Sequence, residues 1–279
     1  MIFDAIKGHN DVKKHLETAV SCNKVSHAYI FAGKRGVGKT TTALAYADAL
    51  TEGSKVDVTL VTNAQYDTES KSEAVSVKTV RAASADMYVK PYAADKRVFI
   101  IPDAEKMTPQ AQNALLKVFE EPPSYCVIIL ITQNDNMLLQ TIRSRAVTIR
   151  FGALRDADVE SYLDAMEVSK SSVLVRLAAG SIGMALELCS NEDLHDVLGT
   201  FVGMFKKIGS GNSSDAYGII SYFQREKKNS DLSIPGVSSK KAVRMIEMVE
   251  NTRNSFSFNA NYDLAVSEMM LDILGAIND

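Results

Sequence analysis

Through the first half of the chain, short apolar runs rich in β-branched residues alternate with amphipathic stretches. The run Ala28-Tyr29-Ile30-Phe31 and the segments 58–62, 98–101, 127–131 and 147–151 each read as a strand. These β-branched apolar runs suit strands buried on both sides, as in a parallel sheet covered by helices. Residues 40–50 read as a helix with Ala43, Leu44, Ala47 and Leu50 on one face. A second helix is signalled by its ends as well as its period. Thr108 is placed to cap it and Pro109 occupies the first helical position, where its missing N–H costs nothing. Ala111, Ala114, Leu115, Val118 and Phe119 form its apolar stripe, and Pro122-Pro123 stops it. After Phe151 the strand signals fade. Residues 156–166 and 171–188 read as helical, with Gly180 to Gly183 as an interruption, and further helices separated by polar, glycine-containing turns follow from about 191. The last of these, 261–277, has an apolar face from Leu264, Leu271 and Leu274.

Between the first strand and the first helix lies Gly33-Lys34-Arg35-Gly36-Val37-Gly38-Lys39-Thr40, a complete G-x-x-x-x-G-K-T phosphate-binding loop in the strand–turn–helix context that it needs. Gly33, Gly36 and Gly38 let backbone N–H groups converge on phosphate oxygens, with Lys39 reaching the terminal phosphates. The Thr40 hydroxyl is a magnesium ligand candidate, and Thr41 follows it in the first helical turn. The strand that would carry a matching magnesium carboxylate reads Val98-Phe99-Ile100-Ile101-Pro102-Asp103-Ala104-Glu105. Pro102 offers no side-chain oxygen. Asp103 comes one place later and would face the other side of the sheet if the strand continued, so Asp103 and Glu105 are either substitutes for that carboxylate or solvated acids before a helix. The chain is thus equipped to hold a nucleoside triphosphate and poorly equipped to hydrolyse it, since phosphoryl transfer also needs a held metal and a positioned nucleophile.

Composition narrows the setting. The 279 residues suffice for two or three domains, and 46% apolar with 23% charged residues is ordinary for a soluble protein. A net charge of −3 argues against a broad electrostatic grip on a polyanion, so any nucleic-acid contact is expected to be local. Cys22, Cys126 and Cys189 are far apart with no C-x-x-C pair, which fits a reducing cytoplasm without disulfides or zinc. No window approaches the length of a membrane span and no export signal is visible at the N-terminus, so a cytoplasmic protein is expected. His9, His15 and His27 have no metal-ligand spacing and read as core or surface residues.

The run from Ile100 through Met107-Thr108 to Gln110-Ala111-Gln112-Asn113-Ala114-Leu115-Leu116-Lys117 and Glu120-Glu121-Pro122-Pro123 resembles the clamp-loader branch of the AAA+ ATPases. So do His27-Ala28-Tyr29-Ile30-Phe31-Ala32-Gly33 and the opening Phe3-Asp4 with Gly8 and Leu16, which implies an adenine near the N-terminal segment. Thr141-Ile142-Arg143-Ser144-Arg145 is similar to the family's Ser-Arg-Cys motif, with Ala146 in place of cysteine. The resemblance implies a P-loop AAA+ domain over 1–152, a small helical lid over 153–190 and an all-α collar over 191–279. It also implies that Arg145 acts as an arginine finger on a neighbour's ATP, where a guanidinium offers permanent charge and a rigid donor fork. Arg143 competes for that assignment, and an ordinary surface pairing of Arg145 is the plain alternative. Thr132 resembles the sensor-1 polar residue of the family, with a strand-end capping threonine as the alternative.

Departures from the family pattern choose among its subunits. Pro102-Asp103 stands where active members carry Asp-Glu, and Gly183 stands where the lid arginine would be. With the C-terminal stretch around Asn259 to Leu271, these imply a δ′-type subunit of a bacterial DNA polymerase III clamp loader, with little ATPase of its own. Its implied partners are γ/τ and δ subunits and, through the complex, the sliding clamp and primer–template DNA. Its implied cofactor is ATP or ADP with magnesium; residues 51–97 contain no cysteine, so the zinc module of many relatives is not carried over. The alternatives are a catalytically active γ/τ-like ATPase, with Asp103 rescuing the metal, and a small-molecule P-loop kinase.

Overall fold

In the computed structural model the described residues are 2–3, 6–68, 72, 74–168, 175–176 and 178–190. Asp4, the collar expected over 191–279 and the helix expected at 261–277 lie outside them. The elements in chain order are α1 Asn10–Ser21, β1 Ala28–Gly33, α2 Lys39–Leu50, β2 Val58–Leu60, α3 Asn63–Tyr66, α4 Val77–Asp86, β3 Arg97–Ile101, α5 Pro109–Glu120, β4 Cys126–Thr132, α6 Gln140–Arg143, β5 Val147–Phe151 and α7 Asp156–Ala165, with a further helix at Ile182–Ser190. The chain divides into two units, the first comprising Met1–Tyr162 and Gly180–Met184. The second takes up Leu163–Ala179 and resumes at Ala185; among its described residues Val175 and Leu188 are buried.

All five expected strands form, and every pairing among them is parallel, in the order β2-β3-β4-β1-β5. The two-residue period of a strand sends successive side chains to opposite faces, and in β1, β3 and β4 both faces are dry, whereas the edge strand β5 buries only Ile149 and Phe151 and exposes Val147, Thr148 and Arg150. Ala28, Ile30, Phe99, Ile101, Ile128 and Leu130 pack with Val80, Leu115 and Phe119 of α4 and α5. Tyr29, Phe31, Val98, Ile100, Val127 and Ile129 pack on the other side with Leu16, Ala43 and Tyr46 of α1 and α2. Helix α5 starts and stops where its signals place it: Thr108 accepts a hydrogen bond from the Ala111 N–H at 3.2 Å and Pro109 is its first residue.

Two details differ from the sequence pattern. Leu44 is 46% exposed, because the face of α2 turned to the sheet runs through Thr42, Ala43, Tyr46, Ala47 and Leu50. Tyr46 takes the buried place, with its hydroxyl 3.0 Å from that of Tyr29. Strand β3 ends at Ile101, so strand alternation does not govern Asp103, which adopts left-handed backbone (φ 45°).

The arrangement brings three strand ends together at the carboxyl end of the sheet. β1 and β3 both flank β4, with Ala32 opposite Thr132 and Ile101 opposite Leu130. The phosphate loop, the 102–105 turn and Thr132 therefore leave the sheet side by side at the carboxyl ends of the strands, where open α/β sheets bind ligands.

Candidate nucleotide-binding site

Every carbonyl of the loop from Gly33 to Gly38 is held by a donor. Lys39 Nζ donates to the carbonyls of Gly33 and Lys34, both at 2.6 Å. Ser181 Oγ donates to Arg35 O at 3.0 Å and the Gly183 N–H to Gly36 O at 2.9 Å. His9 Nε2 lies 2.8 Å from Val37 O, and Gly38 O accepts from both the N–H and the hydroxyl of Thr42 at 2.9 Å. In a trans peptide the N–H points opposite to the C=O of the same unit, so fixing the carbonyls also fixes where the amides point. Helix α2 begins directly behind the loop, adding the partial positive charge of its N-terminus. Lys39 is buried; burial lowers its pKa, against which the negative charges of Glu105 and Asp103 act to raise it. Thr40 and Thr41, at the first turn of α2, are exposed.

Across from the loop, Pro102 leads into a turn in which Asp103 and Glu105 have different surroundings. Asp103 is 52% exposed at its side chain and pairs with Lys106 at 3.2 Å. Glu105 is half-buried and its Oε2 is buried without a hydrogen-bond partner among the described residues. Asp103 is thus a solvated acid, and Glu105 is the carboxylate with an unmet oxygen. Thr132 is buried and its hydroxyl accepts from the Asn134 N–H at 3.1 Å, which caps the end of β4.

The segment at 180–184 lies against the loop. Gly36 has left-handed backbone (φ 74°), and a Cβ there would strike Ser181 Oγ and stand 2.9 Å from Gly183 Cα. A Cβ on Gly183 would stand 2.7 Å from Gly36 Cα. The two glycines meet backbone to backbone, a distance that no side chain permits. Ser181 also accepts from the Met184 N–H at 3.0 Å, capping the helix that begins at Ile182. The Leu154 N–H bonds Gly180 O at 2.9 Å, which ties the segment to the stretch after β5.

Arg145 is apart from the loop's hydrogen bonds. Its guanidinium donates to Thr141 O at 3.1 Å and pairs with Glu120 at 3.4 Å, with side-chain exposures of 39% and 53%. Arg143 is engaged with Asn136 at 2.9 Å and Gln140 at 2.7 Å. Of the two, Arg145 has the looser local partners.

His9, Ser181 and Gln112 join the site or its support although no sequence motif marks them for it. The core or surface role expected of His9 gives way to a contact with Val37. It arises because α1 packs beside β5, placing the His9 ring edge-on to Phe151 at 5.0 Å. Gln112 is buried in α5, donates to Met107 O and Met137 O and accepts from the Leu139 N–H at 2.7 Å. A polar residue inside the apolar stripe of α5 is the signal that could have found Gln112. Ser181, directly before the helix, carries the signature of a helix cap.

The residues present fit a polyphosphate: the loop's carbonyls are all held, a helix N-terminus lies behind it, and one lysine is buried in it. They fit magnesium less fully, through the exposed Thr40 hydroxyl and the unmet Glu105 oxygen. Among the described residues no cluster of three His, Cys, Asp or Glu side chains forms a metal site, and no helix is long and apolar enough to cross a membrane.

Comparison with known proteins agrees with this architecture. The family described as DNA polymerase III, delta subunit matches residues 8–155, more than half of the chain. DNA polymerase III subunit tau of Bacillus subtilis is 30% identical over 200 residues, covering 65% of this chain and 36% of the relative. DNA polymerase III subunit delta' of the same organism is 29% identical over 206 residues, covering 65% of this chain and 59% of the relative. The chain thus spans about a third of the one and under two thirds of the other. Among solved structures, a point variant of Thermotoga maritima RuvB superposes with a TM-score of 0.53 over 96% of this chain and 88% of that one, at 16% identity, a likeness of AAA+ fold alone. With the matched family spanning the sheet and the phosphate loop, the chain belongs to the clamp-loader family of DNA polymerase III subunits.

Proposed function

We propose that this chain is the δ′-type subunit of a bacterial clamp loader, working in the cytoplasm. It would assemble with γ/τ and δ subunits and, within that complex, help load the sliding clamp onto primer–template DNA. The observation that carries the δ′ assignment is the turn after β3: Pro102 has no carboxylate and Asp103 turns to solvent and Lys106, so the loop faces no aspartate–glutamate pair. A nucleotide held at Gly33, Gly36, Gly38, Lys39, Thr40 and Thr41 would supply the polyphosphate charge that the loop is shaped to neutralise, and the Thr40 hydroxyl would ligate its magnesium. Thr132 would border that pocket from the end of β4. In this reading ATP or ADP is structural, the helical lid and collar follow at 153–190 and 191–279, and Arg145 reaches a neighbouring subunit's ATP.

ATP turnover of the purified chain tests this. The expected rate is at background, and the same in Lys39→Ala. Turnover well above background that Lys39→Ala abolishes would contradict the δ′ reading and favour a γ/τ-like ATPase. That second reading draws on one observation, the unmet Glu105 oxygen near Lys39, which makes Glu105→Gln its own diagnostic.

A further inference from the structure

We infer that Ser181 and Gly183 are positioning residues of the phosphate loop, so that the loop takes its anion-holding form only with the 180–184 segment docked on it. The inference rests on the nucleotide pocket proposed above and extends it to a segment distant in sequence, since Ser181 lies 146 residues beyond Arg35.

Two consecutive loop carbonyls, Arg35 O and Gly36 O, have their donors in this segment, at 3.0 and 2.9 Å. The peptide units that carry those carbonyls also carry the N–H groups of Gly36 and Val37, which therefore point away from the segment. Ser181 is buried and uses its hydroxyl twice, donating to Arg35 O and accepting from the Met184 N–H, so the loop and the start of the helix share one side chain. Gly183 contributes by having no side chain. With its hydrogen replaced by a methyl group, carbon would meet Gly36 Cα at 2.7 Å, and the Gly183 N–H could no longer reach Gly36 O. Gly36 imposes the same limit from the other side, where a Cβ would strike Ser181 Oγ. The contact is backbone to backbone and mutually exclusive with any larger residue at 183.

The test uses the full chain and Ser181→Ala, Ser181→Thr and Gly183→Ala. Backbone ¹⁵N order parameters of residues 34–38 are measured without nucleotide, and MgADP affinity is measured by titration. Ser181→Ala and Gly183→Ala should bring the loop from about 0.85 toward about 0.6 and weaken MgADP about tenfold, the scale of one lost hydrogen bond. Order parameters of β1 and β4 should not change, and Ser181→Thr, which keeps the hydroxyl, should restore both values. Loop order unchanged in both variants overturns the inference, as does MgADP affinity within twofold of wild type. If the wild-type chain binds no MgADP while the loop still loosens in the variants, the nucleotide reading falls and the coupling of segment to loop stands.

Discussion

His9 Nε2 lies 2.8 Å from the carbonyl oxygen of Val37, and His9 itself sits in left-handed backbone (φ 50°) at the entry to α1. A carbonyl only accepts, so the ring must carry its proton on Nε2. His9→Ala should weaken MgADP binding about tenfold, and His9→Gln, which retains an N–H donor, should recover part of the loss. Equal affinity in His9→Ala and wild type would separate His9 from the pocket.

Gln112 supports the opposite border. Its amide joins α5 to Met107, Met137 and Leu139, just ahead of α6 and Arg145. Gln112→Leu fills the space but leaves the Leu139 N–H and two carbonyls without partners. Denaturant unfolding should show a loss of about 2–4 kcal/mol, one to three buried groups at about 1–3 kcal/mol each with partial relaxation. A loss under about 0.5 kcal/mol would contradict this role.

Asp57 gives the fold an acid-sensitive joint. Burial pushes its carboxyl up, but the N–H of Tyr92, the Ser54 hydroxyl and the N–H groups of Ala93 and Ala94 all donate to it and hold it down at about 2. The folded-state value lies below the ordinary 3.8, so its stabilising contribution is complete above about pH 4 and is lost as pH falls through about 2. Asp57→Ala should cost about 1–3 kcal/mol at pH 7, and the gap from wild type should close near pH 2. A gap independent of pH would show that the charge is not what matters.

The Arg145–Glu120 pair is exposed at both ends, so it should contribute less than about 1 kcal/mol. Thermal melts of Arg145→Ala and Glu120→Ala are expected to overlay wild type. A loss above about 2 kcal/mol would mark Arg145 as structural and weaken its assignment to a neighbour's site.

The sheet is legible in the sequence because its central strands are nearly continuous apolar runs, and α5 because Thr108, Pro109 and the two prolines after it mark both ends. Helix α1 is not, since its apolar positions Val12, Leu16 and Ala19 are sparse among lysines and acids. The loop motif is equally plain, but its carbonyl partners are not: His9, Ser181 and Gly183 reach it through tertiary packing that no local pattern encodes. Which way Asp103 faces is not legible, because periodicity cannot say where a strand ends and the left-handed turn after Pro102 decides it. Leu44 illustrates the same limit, since composition cannot tell the buried edge of a helix stripe from the exposed one.

In the proposed role this chain keeps a nucleotide pocket for structure and acts on a neighbour through Arg145. That role stands or falls on the clamp- and DNA-stimulated ATPase of a loader reconstituted with γ/τ, δ and this chain carrying Arg145→Ala. The expected complex assembles normally and loses turnover at one neighbouring site by about 10³-fold, the scale of an arginine finger supplied in trans. An assembled complex with unchanged ATPase would contradict it.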